Sequence, residues 1–296
     1  MSSPQPIPDK PLTPPQAWQP FTPRGVAAFA TGTLTRLVMV QIVVALIVAV
    51  AVVLFLRIAW FPVIDEAIQR LPDTGAIYNG ELVFTGDSPR RLAENGRLAV
   101  VVDVHSTSVG HAADVEVTFE KQRVAICGAL GCWWQSYDRK YTISFNRTEL
   151  EPAWGAWRLP TLAFAVVLTV VSLLILWWPA AFIYLPLVRI VAFFGDRVVT
   201  WRGAWRLSAA ALLPGALILS VGIILYGVGA VDLFRFSLFY AMHLVAGLVF
   251  VVTSAFFLPK IAPLISGKNP FSSVVRDQRE TTAPSASNPF SRDESV

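Results

Sequence analysis

This chain is short of the groups that usually carry out chemistry. Its 296 residues contain no GxxxxGK[ST] phosphate loop, no HExxH helix and no GxSxG elbow. Those absences remove the recognised signatures of nucleotide, zinc-peptidase and serine-hydrolase catalysis. Charge is scarce, with Asp, Glu, Lys and Arg making up 15% of the residues, where an ordinary soluble domain has about 25%. The net charge of +4 comes from basic residues scattered along the chain. They form no dense patch, so nucleic acid is not an expected partner. There are two cysteines and three histidines, and no cofactor is implied. No pair of carboxylates falls inside an apolar stretch, which leaves poor material for an intramembrane proton relay.

Apolar residues are abundant instead, at 54% with a mean hydropathy of +0.56. They gather in four runs, at 37–56, 159–185, 207–231 and 236–258. The first is twenty residues long, and its only strongly polar member is Gln41. A hydrocarbon core about 30 Å thick needs roughly 20 helical residues. The expected class is therefore a membrane α-helical protein with four transmembrane helices, at 35–60, 159–185, 207–231 and 236–258. The first run follows a polar, proline-rich stretch and exceeds the length of a signal-peptide core, so it reads as an uncleaved anchor.

Placement of basic residues predicts the orientation. With the N-terminus inside, the inner segments hold Lys10, Arg24, Arg36, Arg189, Arg197, Arg202, Arg206, Lys260, Lys268 and Arg276. The short connection between the third and fourth runs holds only Arg235, and Arg57 is a local exception. The expected location is a cell inner membrane with both termini cytoplasmic. Trp60, Trp154 and Trp157 mark one interface, and Trp177, Trp178, Trp201 and Trp205 the other.

Residues 61–158 form the one sizeable water-facing segment, expected as an extracytoplasmic antiparallel β-rich domain between helices 1 and 2. Ile64, Ala67, Ile68 and Leu71 have the spacing of a short amphipathic helix leading into it. Strands are predicted at 77–84, 97–104, 114–120, 123–127, 133–137 and 141–145, with hairpin turns at 120–122 and 138–140. Val115, Val117 and Phe119 alternate with polar neighbours, the period of a half-buried strand. The prolines of residues 1–34 and the serine-rich polarity of 265–296 predict two disordered cytoplasmic tails. Leu187, Val191, Phe194, Val198, Trp201 and Trp205 share one helical face. Residues 186–206 are accordingly expected as an amphipathic helix in the inner interface, its arginines near anionic headgroups, or as a packed hairpin.

A few residues stand out as candidate sites. Cys127 and Cys132 flank four residues, a spacing that misses zinc knuckles and thioredoxin motifs. Across a hairpin loop they suit a disulfide, while free buried thiols and redox or metal chemistry remain open. Asp103, His105, His111 and Asp114 are the densest set of possible metal ligands, although solvated loop residues are the plainer reading. His243 lies well inside the fourth run, either as a structural hydrogen-bonding group or as part of a transport path. Ser208, Gly215, Gly222 and Gly229 recur every seven residues, which predicts a close helix-packing seam, with Gly247 and Ser254 as its counterpart. Asn269-Pro270-Phe271 and Asn288-Pro289-Phe290, each followed by serine, are either a repeated linear motif or chance turns.

Three stretches carry a family likeness: Ile77 with Gly80-Glu81-Leu82; Ala99-Val100-Val101-Val102-Asp103; and Thr200-Trp201-Arg202-Gly203-Ala204-Trp205-Arg206-Leu207-Ser208 running into Ala211-Leu212-Leu213-Pro214. In these the chain resembles a bacterial four-span membrane-protein family of unknown function, some of whose members are labelled maltodextrin-utilisation membrane proteins. The sequence departs from it after Asp103, where Val104-His105 replace a small hydroxylated residue. The cysteine pair is not a family mark either. The resemblance implies an architecture and a location but no reaction. The resulting expectation is a non-catalytic accessory or sensing component with the lipid bilayer and a membrane or envelope protein as partners. An oligomeric transporter or channel subunit using His243 is the rival, and an envelope metalloenzyme comes last.

Overall fold

The computed structural model describes residues 19–105 and 113–260. Four helical stretches in it are long and apolar enough to cross a bilayer: Leu34–Gln69, Arg147–Phe194, Trp201–Val228 and Leu233–Ala255. Their outward faces carry large bare side chains, among them Val43, Ile47 and Val50 on the first and Phe164, Leu168 and Ile175 on the second. Uncovered apolar surface on this scale is unfavourable in water and matches hydrocarbon as solvent.

The first stretch has three parts. Helix α2 (Leu34–Phe55) begins at Thr33, whose hydroxyl accepts from the Arg36 amide. A π-helical turn, Leu56–Trp60, follows, and α3 (Phe61–Gln69) continues from it. The amphipathic lead-in helix expected from Ile64, Ala67 and Ile68 is α3. It presses Val63 and Ala67 into the core of the β-domain.

That domain holds two sheets. Where one strand was expected over 77–84, the chain folds into a hairpin of β1 (Gly75–Tyr78) and β2 (Glu81–Phe84). Asn79 and Gly80 both take positive φ, 52° and 78°, which is the twist a two-residue hairpin turn requires. With β8 (Ile143–Ser144) these make the smaller sheet, ordered β2-β1-β8. The larger sheet comprises β3 (Arg90–Asn95), β4 (Leu98–Asp103), β5 (Val115–Glu120), β6 (Arg123–Gly128) and β7 (Gly131–Ser136), hydrogen-bonded in that order.

The sheet is not purely antiparallel, because β4 and β5 run parallel. The connection across 104–114 returns the chain to the end where β4 began, so β5 starts beside Leu98. Strand β4 is buried along its whole length, as suits a central strand covered on both faces. Residues 138–140, expected as a hairpin turn, instead carry the chain from one sheet to the other.

The second span is longer than its apolar run. Helix α4 (Arg147–Phe194) has 48 residues, roughly 72 Å at helical rise. It starts inside the segment expected to be domain, at Asn146, whose side chain accepts from the Glu149 amide at 3.0 Å. Pro152, Pro160, Pro179 and Pro186 all lie within it. Each proline removes one main-chain bond. The helix nevertheless continues through all four.

Residues 186–206 do not form one helix. The chain leaves α4 at Gly195, Asp196 takes φ 51°, and α5 (Trp201–Ala211) starts afresh from Thr200. The intervening strip is tied to the end of the fourth span: Val198 N donates to Pro259 O at 2.9 Å and Arg197 Nη1 to Leu258 O at 2.6 Å. These hydrogen bonds outweigh the helical pattern that spacing alone suggested. Leu212 separates α5 from α6 (Leu213–Val228), with Pro214 in the first turn of α6, so the third span is bent. Helix α7 (Leu233–Ala255) starts at its cap Asp232.

Within the expected N-terminal tail, residues 19–34 are ordered. Thr22 caps a short α1 (Pro23–Ala28), and Val26 and Phe29 are fully buried against Ala204, Val251 and Leu258. The proline count of 1–34 concealed this segment, since Pro23 sits in the first helical turn, where proline is well tolerated. Residues 265–296, with both Asn-Pro-Phe motifs at Asn269-Pro270-Phe271 and Asn288-Pro289-Phe290, lie outside the described residues.

Candidate functional site

The β-domain meets the helix bundle at the turn between β3 and β4. Asn95 Oδ1 accepts from the amides of Arg97 at 3.0 Å and Leu98 at 2.9 Å, a side-chain-closed turn. Its Nδ2 is thereby aimed down at the π-helical turn and donates to Ala59 O at 2.6 Å. Two residues on, Arg97 Nε donates to the carbonyl of Tyr226 at 2.6 Å, and its guanidinium lies 5.7 Å from that tyrosine's ring centre. Parallel pairing brings Asp114 to the same place, with its amide 3.2 Å from Gly96 O. The Tyr226 hydroxyl donates to Asp114 Oδ2 at 2.6 Å.

Tyr226 is a hub. Its ring stacks between Phe55 and Phe236, with centroids 5.6 Å and 5.1 Å away. One side chain therefore joins the first, third and fourth spans to two strands. Just beyond it, Gly229 ends α6 with φ 84°. A Cβ there would stand 2.5 Å from Arg97 Nη2, but it is the positive φ that favours glycine at this position. A cleft of about 360 Å³ opens beside the joint, lined by Arg97, Asp114, Asp232 and Arg235 among others. Its charged lining is two cations and two carboxylates, with the Tyr226 hydroxyl held on Asp114. This arrangement suits a polar joint.

No family model, curated protein or solved structure matches this chain. Its function is therefore argued from its own geometry.

A second surface lies at the far side of the larger sheet. Strand β7 is an edge strand, and Trp133 and Trp134 on it are each more than half exposed. Arg123 lies over the Trp134 ring at 5.6 Å. The β6–β7 hairpin is closed by a disulfide between Cys127 and Cys132, which face each other in register with Cα atoms 4.0 Å apart. The loop at its tip is two residues, Ala129 and Leu130, tighter than the four between the cysteines. An open strand edge with bare aromatic side chains is a template for another extended chain.

The metal-ligand set does not assemble. Asp103 ends β4 opposite Glu120, whereas Asp114 lies at the other end of the pair beside Arg97. Their separation along the strands is about 20 Å. Asp103 is buried and accepts from the His105 amide at 3.1 Å, and His111 lies outside the described residues. Among the described residues no group of three or more His, Cys, Asp or Glu is placed to hold a metal. The parallel pairing of β4 with β5 puts Asp114 at the opposite end from Asp103, in keeping with the plainer reading of solvated loop residues.

The glycine seam is half of what the spacing predicts. At Gly215 an added Cβ would collide with the His243 carbonyl, and at Gly222 it would stand 2.7 Å from Phe239 Cβ. These two do hold α6 against α7. Ser208, however, lies on α5 beyond the bend, its buried hydroxyl without a partner among the described residues, and Gly229 faces Arg97. Gly247 packs on Leu212, and Ser254 is buried. His243 sits at the Gly215 contact, its ring 5.9 Å from Tyr240, with a buried Nδ1 that has no hydrogen-bond partner among the described residues.

Arg97, Asn95 and Tyr226 were not apparent from sequence as a site. The available signals were slight: a basic residue in a predicted strand, and a single hydroxylated ring at the end of an apolar run.

Proposed function

We propose that this protein is a non-catalytic accessory or sensing component of a bacterial inner membrane, working through its extracytoplasmic β-domain. The observation that carries the reading is the Arg97–Tyr226–Asp114 joint. It ties the sheet to three spans through one buried ring, so a displacement of the sheet acts directly on the bundle. The β7 edge offers the surface on which an extended segment of an envelope protein would dock. Both termini are cytoplasmic in this proposal, in keeping with the excess of basic residues at the helix ends remote from the β-domain. The likeness to the four-span bacterial family points the same way.

The rival reading, an oligomeric transporter or channel subunit, draws on the unpartnered Nδ1 of His243. Complementation of a deletion strain separates the two. Under the accessory reading, Arg97→Gln and the pair Trp133→Ser/Trp134→Ser lose complementation while His243→Gln retains it. The opposite pattern, at normal protein levels, establishes the transport reading. Labelling of single cysteines placed at Ser136 and Ser287 in a cysteine-free background tests topology. Intact cells should label position 136 and not position 287.

A further inference from the structure

At the bundle end remote from the β-domain, the start of α2, the last third of α4 and the start of α5 enclose a groove of about 630 Å³. Its walls are Leu34, Trp178, Phe182, Leu185 and Trp205, with Trp205 making edge contact with Trp178 at 5.7 Å. Phe182 is more than half bare. Two arginines stand in the lining, and they differ. Arg206 is committed to the protein, donating to the main-chain carbonyls of Gly32 and, at 3.2 Å, of Arg202. The Arg202 guanidinium is exposed and forms no ion pair or hydrogen bond among the described residues.

The surroundings carry one sign of charge. Arg24, Arg36, Arg189, Arg197, Arg202, Arg206 and Lys260 lie at this end, against the single carboxylate Asp196 among the described residues. Arg189 is stacked 4.1 Å over Trp201, which forms one lip of the groove. An apolar groove with an aromatic wall, opening at a guanidinium in a cationic collar, has the chemistry of an acidic phospholipid: acyl chain against the aromatic wall, phosphate at the mouth. A neutral apolar ligand leaves the collar unused, and a soluble anion leaves the wall bare.

We propose that this groove binds one acidic glycerophospholipid, its phosphate on Arg202 and an acyl chain along Trp178, Phe182 and Leu185. The site is distinct from the joint at Tyr226, and it requires only that the bundle lie in a bilayer.

Native mass spectrometry of the full chain, released from mixed micelles containing phosphatidylglycerol and phosphatidylcholine with identical acyl chains, tests it. The wild type should retain one phosphatidylglycerol in preference to phosphatidylcholine. Arg202→Gln should reduce that preference about fivefold, the effect of one arginine near an anionic lipid surface. Arg235→Gln, at the opposite end, should leave it unchanged. Glycerol phosphate without acyl chains should not displace the lipid. Equal retention of the two lipids by the wild type overturns the proposal, as does an unaltered preference in Arg202→Gln. Loss in both variants alike, or displacement by glycerol phosphate, overturns it too.

Discussion

Arg97 and Tyr226, 129 residues apart in sequence, are joined by a 2.6 Å hydrogen bond from the guanidinium Nε to the tyrosine carbonyl. The acceptor lies in the last turn of α6, where it also takes the capping amide of Gly229 at 3.2 Å and where the helix dipole is negative. A cation placed there is favoured by that dipole. The tyrosine's other end is fixed by Asp114, so backbone and side chain of one residue are held by neighbouring strands.

Tyr226→Phe keeps the stack with Phe55 and Phe236 but removes the donor to Asp114. The loss should be about 1–2 kcal/mol, since a partly buried carboxylate is left without its partner. Thermal unfolding in detergent measures it. A double-mutant cycle with Asp114→Asn should show coupling, and strict additivity would mean that the two side chains do not interact.

Gly215→Ala should destabilise by about 1–3 kcal/mol, because the new methyl meets the main chain of His243, which cannot rotate away. Gly155→Ala in α4 is the matched control, since nothing lies within 4 Å of its Cβ position. That change should be neutral or add up to about 1 kcal/mol through helix propensity. Equal shifts in melting temperature for the two variants would show that α6 and α7 are not in close contact.

Breaking the Cys127–Cys132 bridge with paired serines should cost about 2 kcal/mol, because the closed loop is small and removes little chain entropy. The effect should be confined to hydrogen exchange in β6 and β7. Mass spectrometry after thiol trapping should find both cysteines unalkylated until a reductant is added.

Glu81 sits on the seam between the two sheets. It accepts from Gln122 Nε2 at 2.9 Å and lies 3.6 Å from Lys121 Nζ. These two contacts, the hydrogen bond first, hold its carboxyl below the ordinary glutamate value of 4.5. A lowered folded-state value stabilises the fold above the unfolded value, and that contribution is lost as pH falls through the folded one. Glu81→Gln should therefore weaken the acid sensitivity of the β-domain, read as melting temperature against pH from neutrality to about pH 3. Identical pH profiles for variant and wild type would rule out the seam as their source.

What the sequence disclosed was set by what is local. Apolar runs of bilayer length identified the four helices long and apolar enough to cross a membrane, and period-two alternation found β5 at Val115, Val117 and Phe119. Helix α3 showed itself through the spacing of Ile64, Ala67 and Ile68. Strand β3 was missed because Arg90, Arg91, Glu94 and Asn95 look like loop, and only its partner β4 makes it a strand. Pairing is non-local, so neither the parallel register of β4 with β5 nor the meeting of Asp114 with Tyr226 was visible. The breaks at Gly195 and Leu212 were hidden for the same reason, since their partners, Leu258 and Pro259 for the first and Gly247 for the second, lie on α7 or just beyond its end.

The burial of Val26 and Phe29 among Ala204, Val251 and Leu258 sets an order of manufacture. A ribosome delivers these two side chains more than two hundred residues before the last of their neighbours. Ala204 of α5 supplies part of their cover, and Val251 and Leu258 complete it only once α7 has been made. A chain arrested short of Val251 therefore leaves Val26 and Phe29 partly bare.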